Sequence, residues 1–574
     1  MSLDYRTFSS AGKKSTHIIP GAYSRIDSVK GAGGLAASNN GVVMGRSTGG
    51  QPATLLQFNT VAEAVATLRS GVLMEAVRLA FDPGGDVNPQ RVFAMRVNSA
   101  VQGAAQLVDG SVNDMIELTS LDYGAYTNQI KVTLAAGTNF GKKLTVAYQS
   151  ETAEVFDDIR QQSFTIEYTG GACTMTIVNN NVAQTLVSSV GGLSVDLNDY
   201  PTIEELAAYI NDQTSFDCTP IAGQESASSL LIDAASAVSI ATAVIHESSF
   251  QAIIDTVNAK SARISAAGNN LAISRVPPAV LAETYLTGGS EGSYGSTEWT
   301  AALLAMEAEN IQFISTPDPL AAAHASIKTH CALMSRVTGR KERQFLVGAP
   351  WGSGTLATDI STAQGAAQTL NSKYGMYVFN GGTQRDVNGV VQNYSASYAA
   401  CMLMGMKTAL SINQPLTFKS LNFIALEHKL SDSSLESLLQ EGVAPINYAS
   451  NGVPHMVRQF NTYQTNDLKW NEFSAATEMM FASRDLREFL EARFIGQPGT
   501  AIADGIIKGS IESRLAIYTD LGIFIKDPVS GVAWWNVQVS ISGDVVYVDY
   551  DAYITMPINF EFITNHFHEL VATI

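Results

Sequence analysis

The stretch EWTAALLAMEAENIQFIST, residues 298–316, decides the fold class of this chain. A helical run is followed directly by a short strand with few polar positions, and the alternation then continues. The next predicted helices are LAAAHASIKTHCALMSRV (320–337) and TLATDISTAQGAAQTL (355–370), and the next predicted strands are RQFLVGAP (343–350) and GMYVFNGG (375–382). Apolar strands that alternate with helices predict a parallel sheet covered on both faces, so we expect an α/β core.

The same α/β pattern is present near the beginning of the chain. NNGVVMG (39–45) and RVFAMRV (91–97) are predicted strands. Between them, Thr60 and Glu63 have the spacing of a helix capping box. We predict a single helix after this box, with an apolar stripe formed by Val61, Val65, Leu68, Val72, Ala76 and Leu79.

Between these two α/β segments the pattern changes to short alternating strands. MIELTSL (115–121), NQIKVTLAA (128–136) and KKLTVAYQS (142–150) are examples, separated by turns that contain glycine and asparagine. A strand about every ten residues is typical of a β-sandwich or barrel. LTGGSEGSYGST (286–297) is a linker-like stretch at the end of this region. We therefore interpret the β-rich region as an insertion into one α/β core.

These patterns divide the chain into six expected segments. Two of them form the α/β core, and an α+β domain precedes the C-terminal arm. The segments are an N-terminal arm (1–27), the first part of the core (28–98), the inserted β-rich outer domain or domains (99–295), the second α/β segment (296–450), the α+β domain (451–550) and a C-terminal arm strand (551–574).

Composition excludes several classes of function. The chain has 574 residues, of which 46% are hydrophobic and 15% charged, and this favours large buried cores over disorder. The formal net charge of -18 opposes non-specific binding to nucleic acid, so we predict no nucleic-acid partner. No stretch approaches 18 consecutive apolar residues, so we predict no direct membrane insertion.

The cysteines and the first residues indicate where the protein is made. Cys173, Cys218, Cys331 and Cys401 lie far apart, which argues against a zinc knuckle or a disulfide framework and suits a reducing compartment. No apolar run follows the early lysines, so we predict no secretory signal. These features favour a protein that is made and kept in the cytoplasm.

Two serines are candidate nucleophiles. GRSTG (45–49) matches the G-x-S-x-G pattern of a nucleophile elbow, but a break at 49–52 follows Ser47 where a helix would be needed, so a glycine-rich loop is favoured. Ser353 and Asp359 follow a predicted strand, yet only folding could bring a histidine to them. We predict that the sheet is structural and that the chain is not an enzyme.

The other candidate motifs are weaker. GAGGLA (31–36) lacks the strand that a dinucleotide cradle needs, and GTNFGKK (137–143) has the wrong spacing for a P-loop. Two histidines near the C-terminus could bind a metal ion together with Glu569, although exposed polar positions are the commoner explanation. Asp549 and Asp551 share a strand face without a partner that would make them acid and base. We predict no cofactor, no metal ion and no catalytic residue.

The C-terminal stretch MPINFEFITNHFHEL (556–570) has the alternation of a half-buried strand. Pro557 argues against a central position in a sheet, whereas the run that follows has no proline and is long enough to pair. Chain ends usually fray unless something holds them, so a strand here needs a partner.

The order of motifs resembles the tail sheath proteins of contractile-tailed bacteriophages. Two positions depart from the family pattern, because Glu291 stands where Asp is usual and Tyr126–Thr127 replace an expected glycine. The stretches that carry the resemblance are IPGAYSRIDS (19–28), the strand, glycine loop and helix of 41–68, FAMRVNSAVQGAAQL (93–107), LDYGAYTNQIKVTL (121–134), the entry into the second α/β segment (286–317) and ADGIIKGSIESRLAIYTDLGIF (503–524).

This resemblance implies a structural role. It implies a subtilisin-like sheath domain without protease activity at 296–450 and a C-terminal domain that faces the tube at 451–550. Subunits of the family stack as hexameric rings around a tail tube and contract from a metastable extended state, which drives the tube through the host envelope. The implied partners are further copies of the chain and the tube, baseplate and tail terminator proteins. The implied location is the virion tail, after assembly in the host cytoplasm.

The resemblance also implies that both chain ends add strands to sheets of neighbouring subunits. Three residues on the two late helices are candidate contacts with the tube, although charges on helix faces are solvated by default. The expected N-terminal arm contacts are Ile18, Ile19, Tyr23, Arg25 and Ile26, the C-terminal arm contacts are Ile558, Phe560, Phe562, His566, Phe567 and His568, and the tube contacts are Arg484, Arg487 and Lys508.

Three alternatives remain open at this point. The sheath could belong to a phage-derived contractile injection device, which the sequence does not separate from a phage tail. A serine hydrolase would use the GRSTG loop or Ser353. An outward-facing adhesin would use the insertion at 99–290, although the cysteine usage and the absence of a signal argue against it.

Overall fold

The computed structural model describes residues 6–10, 13–17, 39–85, 87–269, 273–497 and 504–566. In the order of the chain, these form an N-terminal hairpin, an α/β core interrupted by a β-rich insertion, and a C-terminal pair of long helices with a hairpin. The N-terminal hairpin pairs β1 (Arg6–Ser10) with β2 (Lys13–His17) in antiparallel register. No helix in these ranges is long and apolar enough to cross a membrane.

The first part of the core has two helices where the sequence predicted one. Thr60 caps the first helix as expected, because its hydroxyl accepts a hydrogen bond from the Glu63 amide at 3.2 Å. The helix then stops at Leu68, since its C-cap residue Arg69 has a φ of 60°. Gly71, with a φ of 107°, precedes the second helix, and a Cβ there would lie 3.1 Å from the Arg46 carbonyl oxygen. The elements are β3 (Gly41–Gly45), β4 (Leu55–Phe58), α1 (Val61–Leu68), α2 (Val72–Phe81) and β5 (Val92–Arg96).

The insertion contains two separate hydrophobic clusters. Its elements are β6 (Ala104–Val108), β7 (Asp114–Ser120), β8 (Ile130–Ala136), β9 (Lys142–Tyr148), β10 (Glu154–Ile159), β11 (Gln162–Tyr168), β12 (Thr174–Asn179), β13 (Gln184–Ser188), β14 (Ser194–Asp196), α3 (Ile203–Asn211), β15 (Phe216–Pro220), β16 (Ala235–Ser239), β17 (Val244–Glu247), α4 (Ser249–Lys260), β18 (Ile264–Gly268) and β19 (Leu281–Tyr285). One cluster lies between the sheets β18-β7-β6 and β10-β9-β8-β19 and the helix α4. The other lies between the sheets β15-β11-β17 and β14-β13-β12-β16 and the helix α3.

After the insertion the chain returns to the core. Helices pack beside short, fully buried strands, as the alternating pattern predicted. The elements are α5 (Ser296–Ala305), β20 (Phe313–Ser315), α6 (Ala321–Met334), β21 (Gln344–Gly348), α7 (Leu356–Leu370), β22 (Gly375–Phe379), β23 (Gly382–Arg385), β24 (Val391–Tyr394), α8 (Ala396–Ala409), β25 (Ala425–Leu426), α9 (Asp432–Gln440), β26 (Val443–Tyr448) and β27 (Pro454–Met456).

One eight-stranded sheet unites both parts of the core, in the order β27-β26-β22-β21-β20-β3-β5-β4. The six central strands are parallel, and the two outermost strands, β4 and β27, pair antiparallel. The two parts meet where β3 pairs with β20, with Val42 opposite Ile314. The predicted α/β core is therefore confirmed as a mostly parallel sheet.

The C-terminal elements form a fourth hydrophobic cluster. Two long helices pack against a hairpin, and between the helices the Asp485 carboxylate accepts hydrogen bonds from Arg514 at 2.6 and 2.7 Å and from the Tyr518 hydroxyl at 2.5 Å. The elements are α10 (Leu468–Asn471), α11 (Phe473–Phe494), α12 (Asp504–Asp520), β28 (Trp534–Ser542) and β29 (Val545–Ala552).

Arg96 joins the core to the root of the insertion. It is fully buried at the end of β5, and its guanidinium donates hydrogen bonds to the carbonyl oxygens of Gly50 and Tyr123 at 2.8 and 2.9 Å. It also donates to the Glu291 carboxylate at 2.6 Å, where the chain leaves the insertion. One side chain thus ties the loop after GRSTG to the β7–β8 loop inside the insertion and to the exit of the insertion at Glu291.

We predict that Arg96→Met destabilises the chain by roughly 2–4 kcal/mol, because two buried carbonyl groups lose their donor. The first unfolding transition in urea should move to a lower concentration, and trypsin should cut the connections of the insertion faster. The control is Lys131→Met, which breaks an exposed ion pair with Glu283 and should cost only about 0–1 kcal/mol. Equal stability of the two variants would contradict this role of Arg96.

Candidate assembly surfaces

Ser47 has no catalytic partner in the structure. Its side chain is buried, and its hydroxyl donates a hydrogen bond to the Gly49 carbonyl oxygen at 2.8 Å within the same loop. Among the described residues, no histidine forms a hydrogen bond with this hydroxyl. A nucleophilic serine needs an adjacent base and access to substrate. The GRSTG loop is therefore part of the junction around Arg96.

Ser353 does acquire neighbours that resemble a catalytic set. Its hydroxyl donates to Oδ1 of Asp359 at 2.9 Å, and Nε2 of His428 lies 3.2 Å from Oδ2 of the same carboxylate. In a serine hydrolase the imidazole stands between the serine and the carboxylate, so that it can take the proton of the hydroxyl. Here the carboxylate stands in the middle, and the imidazole does not contact the serine. This arrangement does not activate Ser353.

The C-terminal arm, residues 553–566, leaves the hairpin and crosses the subunit surface. Thr555 fixes its beginning, because its amide donates to the Ile523 carbonyl oxygen at 3.0 Å and its hydroxyl donates to the Gly522 carbonyl oxygen at 2.7 Å. Within the described ranges, no strand follows Ala552, although a single antiparallel bridge joins Ile554 to Phe524 at the root of the arm. Beyond this root, residues 556–566 have no sheet partner in the described chain.

The apolar side chains of the arm are exposed to solvent. Ile558 is 90% exposed, Phe560 69%, Phe562 93% and Ile563 72%. His566 is also exposed, whereas Phe567 and His568 lie outside the described residues. Several large apolar side chains exposed together indicate a surface that another protein covers.

A polar anchor, formed by Glu472, Arg458 and Asn559, holds the root of the arm. The Glu472 carboxylate is fully buried and accepts hydrogen bonds from Nε of Arg458 at 2.7 Å and from the side-chain amide of Asn559 at 2.9 Å. Burial raises the pKa of Glu472, although the ion pair with Arg458 opposes this rise. The Phe560 ring lies 5.6 Å from the Arg458 guanidinium. The arm is thus held at Asn559 and projects beyond it.

The hairpin β28–β29 has two open edges. Its strands pair with each other from Trp534–Ala552 to Ser542–Val545, and no third strand joins them in the described ranges. A two-stranded sheet is marginal alone, and β28 gains support by packing on α12. Unpaired edges present rows of free amide and carbonyl groups to which an extended segment can add.

An apolar groove of about 790 Å³ lies between this hairpin and the long helices. Its lining is mostly aliphatic and aromatic, and it opens beside the turn at Gly543. Large side chains that line it are Leu486, Leu490, Phe494, Val546, Val548 and Tyr550. The groove can receive apolar side chains of a strand that adds to the hairpin.

The three predicted tube contacts differ in their exposure and in their partners. Arg484 is 4% exposed, so its guanidinium lies inside the subunit in this conformation. Arg487 holds α11 on the core through two hydrogen bonds to the Glu342 carboxylate, at 2.7 and 2.9 Å. Lys508 is about half exposed and lies 4.0 Å from Glu512. Of the three, Lys508 presents its charge to solvent.

The predicted N-terminal arm contacts, Ile18, Ile19, Tyr23, Arg25 and Ile26, lie outside the described residues. Sequence analysis missed the anchor. Glu472 lies 14 residues from Arg458 and 87 residues from Asn559, and the three belong to no motif, so no local signal could have grouped them.

Comparison with known proteins gives one consistent answer. No protein-family model matches the chain. The tail sheath protein of Bacillus phage SP01 is 24% identical, and the alignment covers 97% of this chain and 96% of that protein. The tail sheath protein of Staphylococcus phage Twort is 26% identical over 86% of this chain and 89% of that protein.

Two solved structures have a similar fold. The sheath tail protein of Desulfitobacterium hafniense superimposes with a TM-score of 0.53 at 13% identity, covering 93% of this chain and 96% of that one. The sheath tail protein of Listeria innocua gives 0.53 at 12% identity, covering 90% and 96%. Both the sequence and the fold comparisons thus extend over nearly the whole chain. This chain is a homologue of the phage tail sheath proteins and has the fold of the solved sheath tail proteins.

Proposed function

We propose that this chain is the structural subunit of a contractile phage tail sheath. The observation that carries this proposal is the apolar C-terminal arm, which is anchored at Asn559 and beyond it is exposed and has no strand partner among the described residues. Homology to tail sheath proteins over 97% of the chain supports the same role. The subunit polymerises around a tail tube and contracts from a metastable extended state to drive the tube through the host envelope.

The arm of one copy adds to the hairpin β28–β29 of another copy. Ile558, Phe560 and Phe562 alternate with polar residues, so they share one strand face and can enter the groove beside the hairpin. A strand of about nine residues spans roughly 30 Å, enough to cross a subunit boundary. This contact is head-to-tail, because the donor and acceptor surfaces differ, and it therefore propagates into rings or helices.

Strand exchange through the arms allows contraction without dissociation. The main-chain hydrogen bonds of an added strand stay paired while the globular bodies rotate around the anchored roots. The extended form is then held by a kinetic barrier, and its release needs no nucleotide. The N-terminal arm at 18–26 is proposed to make a second link of the same kind between copies.

The remaining parts fit this assembly as follows. The parallel core at 296–450 with its first part at 28–98 is proposed to be a subtilisin-like sheath domain without protease activity. The insertion at 99–295 faces outward, and the α+β domain at 451–550 faces the tube, with Lys508 as the candidate tube contact. The proposed partners are further copies, the tube protein, and the baseplate and terminator proteins, in a virion tail assembled in the host cytoplasm.

The alternatives have less support. A sheath of a phage-derived injection device would use the same contacts, but the relatives of this chain with similar sequences are phage tail proteins. A serine hydrolase needs an activated nucleophile. Among the described residues, neither Ser47 nor Ser353 has the partners that would activate its hydroxyl. A phage tail sheath is therefore the function that we propose.

We predict that a chain ending at Asn559 folds but forms no long tubes. The anchor remains in this variant, while the apolar strand that adds to the neighbouring hairpin is lost. Size-exclusion chromatography and negative-stain microscopy of the purified protein measure the outcome. Tubes of normal length and number from this variant would refute the role of the arm.

A point substitution tests the same contact with a matched control. Phe562→Asp puts a charge into the proposed groove, so tube formation should be abolished or reduced at least tenfold. Val182→Asp makes a comparable change at a site in the insertion that is 85% exposed, and it should leave the tubes intact. Equal effects of the two substitutions would speak against a specific groove.

We predict that Asn559→Ala loosens the root of the arm. Amide hydrogen exchange across 553–559 should accelerate roughly tenfold or more, because a hydrogen bond to a charged group contributes about 1.5 kcal/mol or more. Asn565→Ala, in the exposed part of the arm, is the control and should leave this exchange unchanged. The anchor hypothesis fails when both variants exchange at the wild-type rate.

A further inference from the structure

Three potential metal ligands converge at the carboxyl edge of the core sheet. Asp359 lies in the first turn of α7, and Glu427 and His428 directly follow β25. Nε2 of His428 lies 3.2 Å from Oδ2 of Asp359 and 3.8 Å from Oε1 of Glu427. In the described ranges, this is the one group of three or more such side chains whose ligand atoms all lie within 4.8 Å of one another.

The group carries negative charge that no cation balances. The side chains of Asp359 and Glu427 are each 9% exposed, and among the described residues neither forms an ion pair with lysine or arginine. Among the described residues, the His428 imidazole is the one basic side chain within ion-pair distance of the two carboxylates. Two largely buried carboxylates that share a single imidazole are costly unless a further positive charge joins them.

Neighbouring groups orient these ligands. Ser353 donates its amide and hydroxyl hydrogens to Oδ1 of Asp359, both at 2.9 Å, which leaves Oδ2 turned towards His428. The Gly352 amide donates to Oε1 of Glu427 at 2.5 Å. Asn380 brackets the backbone of His428 with hydrogen bonds of 3.0 and 2.8 Å. Partners of this kind are what fix ligand orientation around protein-bound metal ions.

Gly352 shows how closely the loop approaches the carboxylates. A Cβ at this position would lie 2.3 Å from Oδ2 of Asp359 and 2.6 Å from Oε1 of Glu427. Any larger residue would therefore push the loop away from the two ligand oxygens. The loop backbone at Gly352 therefore lies directly against this pair of carboxylates.

The spacing fits a small divalent ion. Zinc binds histidine nitrogen and carboxylate oxygen at about 2.0–2.2 Å, which places tetrahedral ligand atoms roughly 3.3 Å apart. The distances of 3.2 and 3.8 Å from the imidazole nitrogen need only small adjustment. An imidazole ligand favours zinc-like ions, whereas magnesium and calcium prefer sites made of oxygen atoms.

We propose that Asp359, Glu427 and His428 bind a divalent transition-metal ion of the zinc class, which links α7 to the segment after β25. The ion takes the place of the proton between His428 and Asp359 and neutralises the carboxylates. Three protein ligands leave one coordination position for water. This site is independent of the arm contacts, so its test does not depend on the sheath assembly.

The test uses the full-length chain without a histidine tag, treated with chelator and desalted. Titration calorimetry with zinc chloride should give one site per chain with a dissociation constant at or below the micromolar range. Magnesium chloride should give no comparable heat. Thermal unfolding should move to higher temperature when zinc is added.

Substitutions assign the ligands. His428→Gln and Asp359→Asn should each weaken zinc binding at least tenfold and remove the thermal shift. The double substitution His566→Gln with His568→Gln, in the C-terminal arm, is the control and should bind as the wild type does. Circular dichroism confirms that each variant is folded, and Ser353→Ala, which keeps all three ligands, provides a milder change that should weaken binding less.

Three results would overturn the proposal. The first is absence of zinc binding to the wild-type chain at micromolar concentration. The second is unchanged binding in folded His428→Gln and Asp359→Asn chains. The third is loss of binding in the arm variant alone, which would place the ion at the C-terminal histidines.

Discussion

The parallel pairing of β3 with β20 is the contact on which the rest of the structure depends. The whole β-rich insertion separates these strands in the sequence, yet Gly41, Val42 and Val43 lie opposite Phe313, Ile314 and Ser315 in the middle of one sheet. The pairing returns the chain to the core after the insertion and sets the order of the strands that follow. Because both strands are buried, a shift of their register would leave buried amide and carbonyl groups unpaired and would disrupt side-chain packing in the core. The Arg96 junction then fixes where the insertion leaves this sheet.

The C-terminal region combines a fixed arm root with exposed apolar side chains. The buried Glu472–Asn559 contact fixes the root of the arm, while the apolar side chains of 558–563 stay exposed. Within the described ranges, no third strand joins the hairpin beside the long helices. Exposed apolar segments and open edges promote aggregation in an ordinary monomer. In the proposed sheath, where copies cover each other's open edges, the same features direct a single kind of assembly.

At the carboxyl edge of the core sheet, the identity and order of the side chains decide which chemistry is available. Ligands usually bind at this edge of α/β sheets, and here Ser353, Asp359 and His428 meet there. In this order the imidazole cannot activate Ser353 as a nucleophile, because the carboxylate separates the serine from the imidazole. The addition of Glu427 gives the same edge the donor atoms of a metal site. The position is thus set by the fold, while the chemistry is set by which side chains point inward.

Local elements followed from the sequence where short-range physics decides them. The Thr60 cap starts α1 as its spacing from Glu63 indicated, since the hydrogen bond joins residues three apart. The alternation in 128–136 and 142–150 matches β8 and β9. The predicted single helix after Thr60 is wrong for a local reason too, because Arg69 adopts a φ of 60° that ends the first helical segment and Gly71 starts the second.

What only the tertiary structure decided involves residues far apart in the chain. His428 reaches Asp359, and Asn559 reaches Glu472, through the packing of several elements, and no periodicity encodes these distances. The burial of Arg484 likewise depends on where α11 meets the core, whereas the helix pattern alone left this charge solvated. The sequence by itself determined the α/β class, the inserted strands and the apolar arm, because these follow from side-chain periodicity. The sheet order, the anchor and the cluster of Asp359, Glu427 and His428 arise only when distant segments pack together. The contacts that stabilise them join residues far apart in the chain, and a local pattern does not contain such contacts.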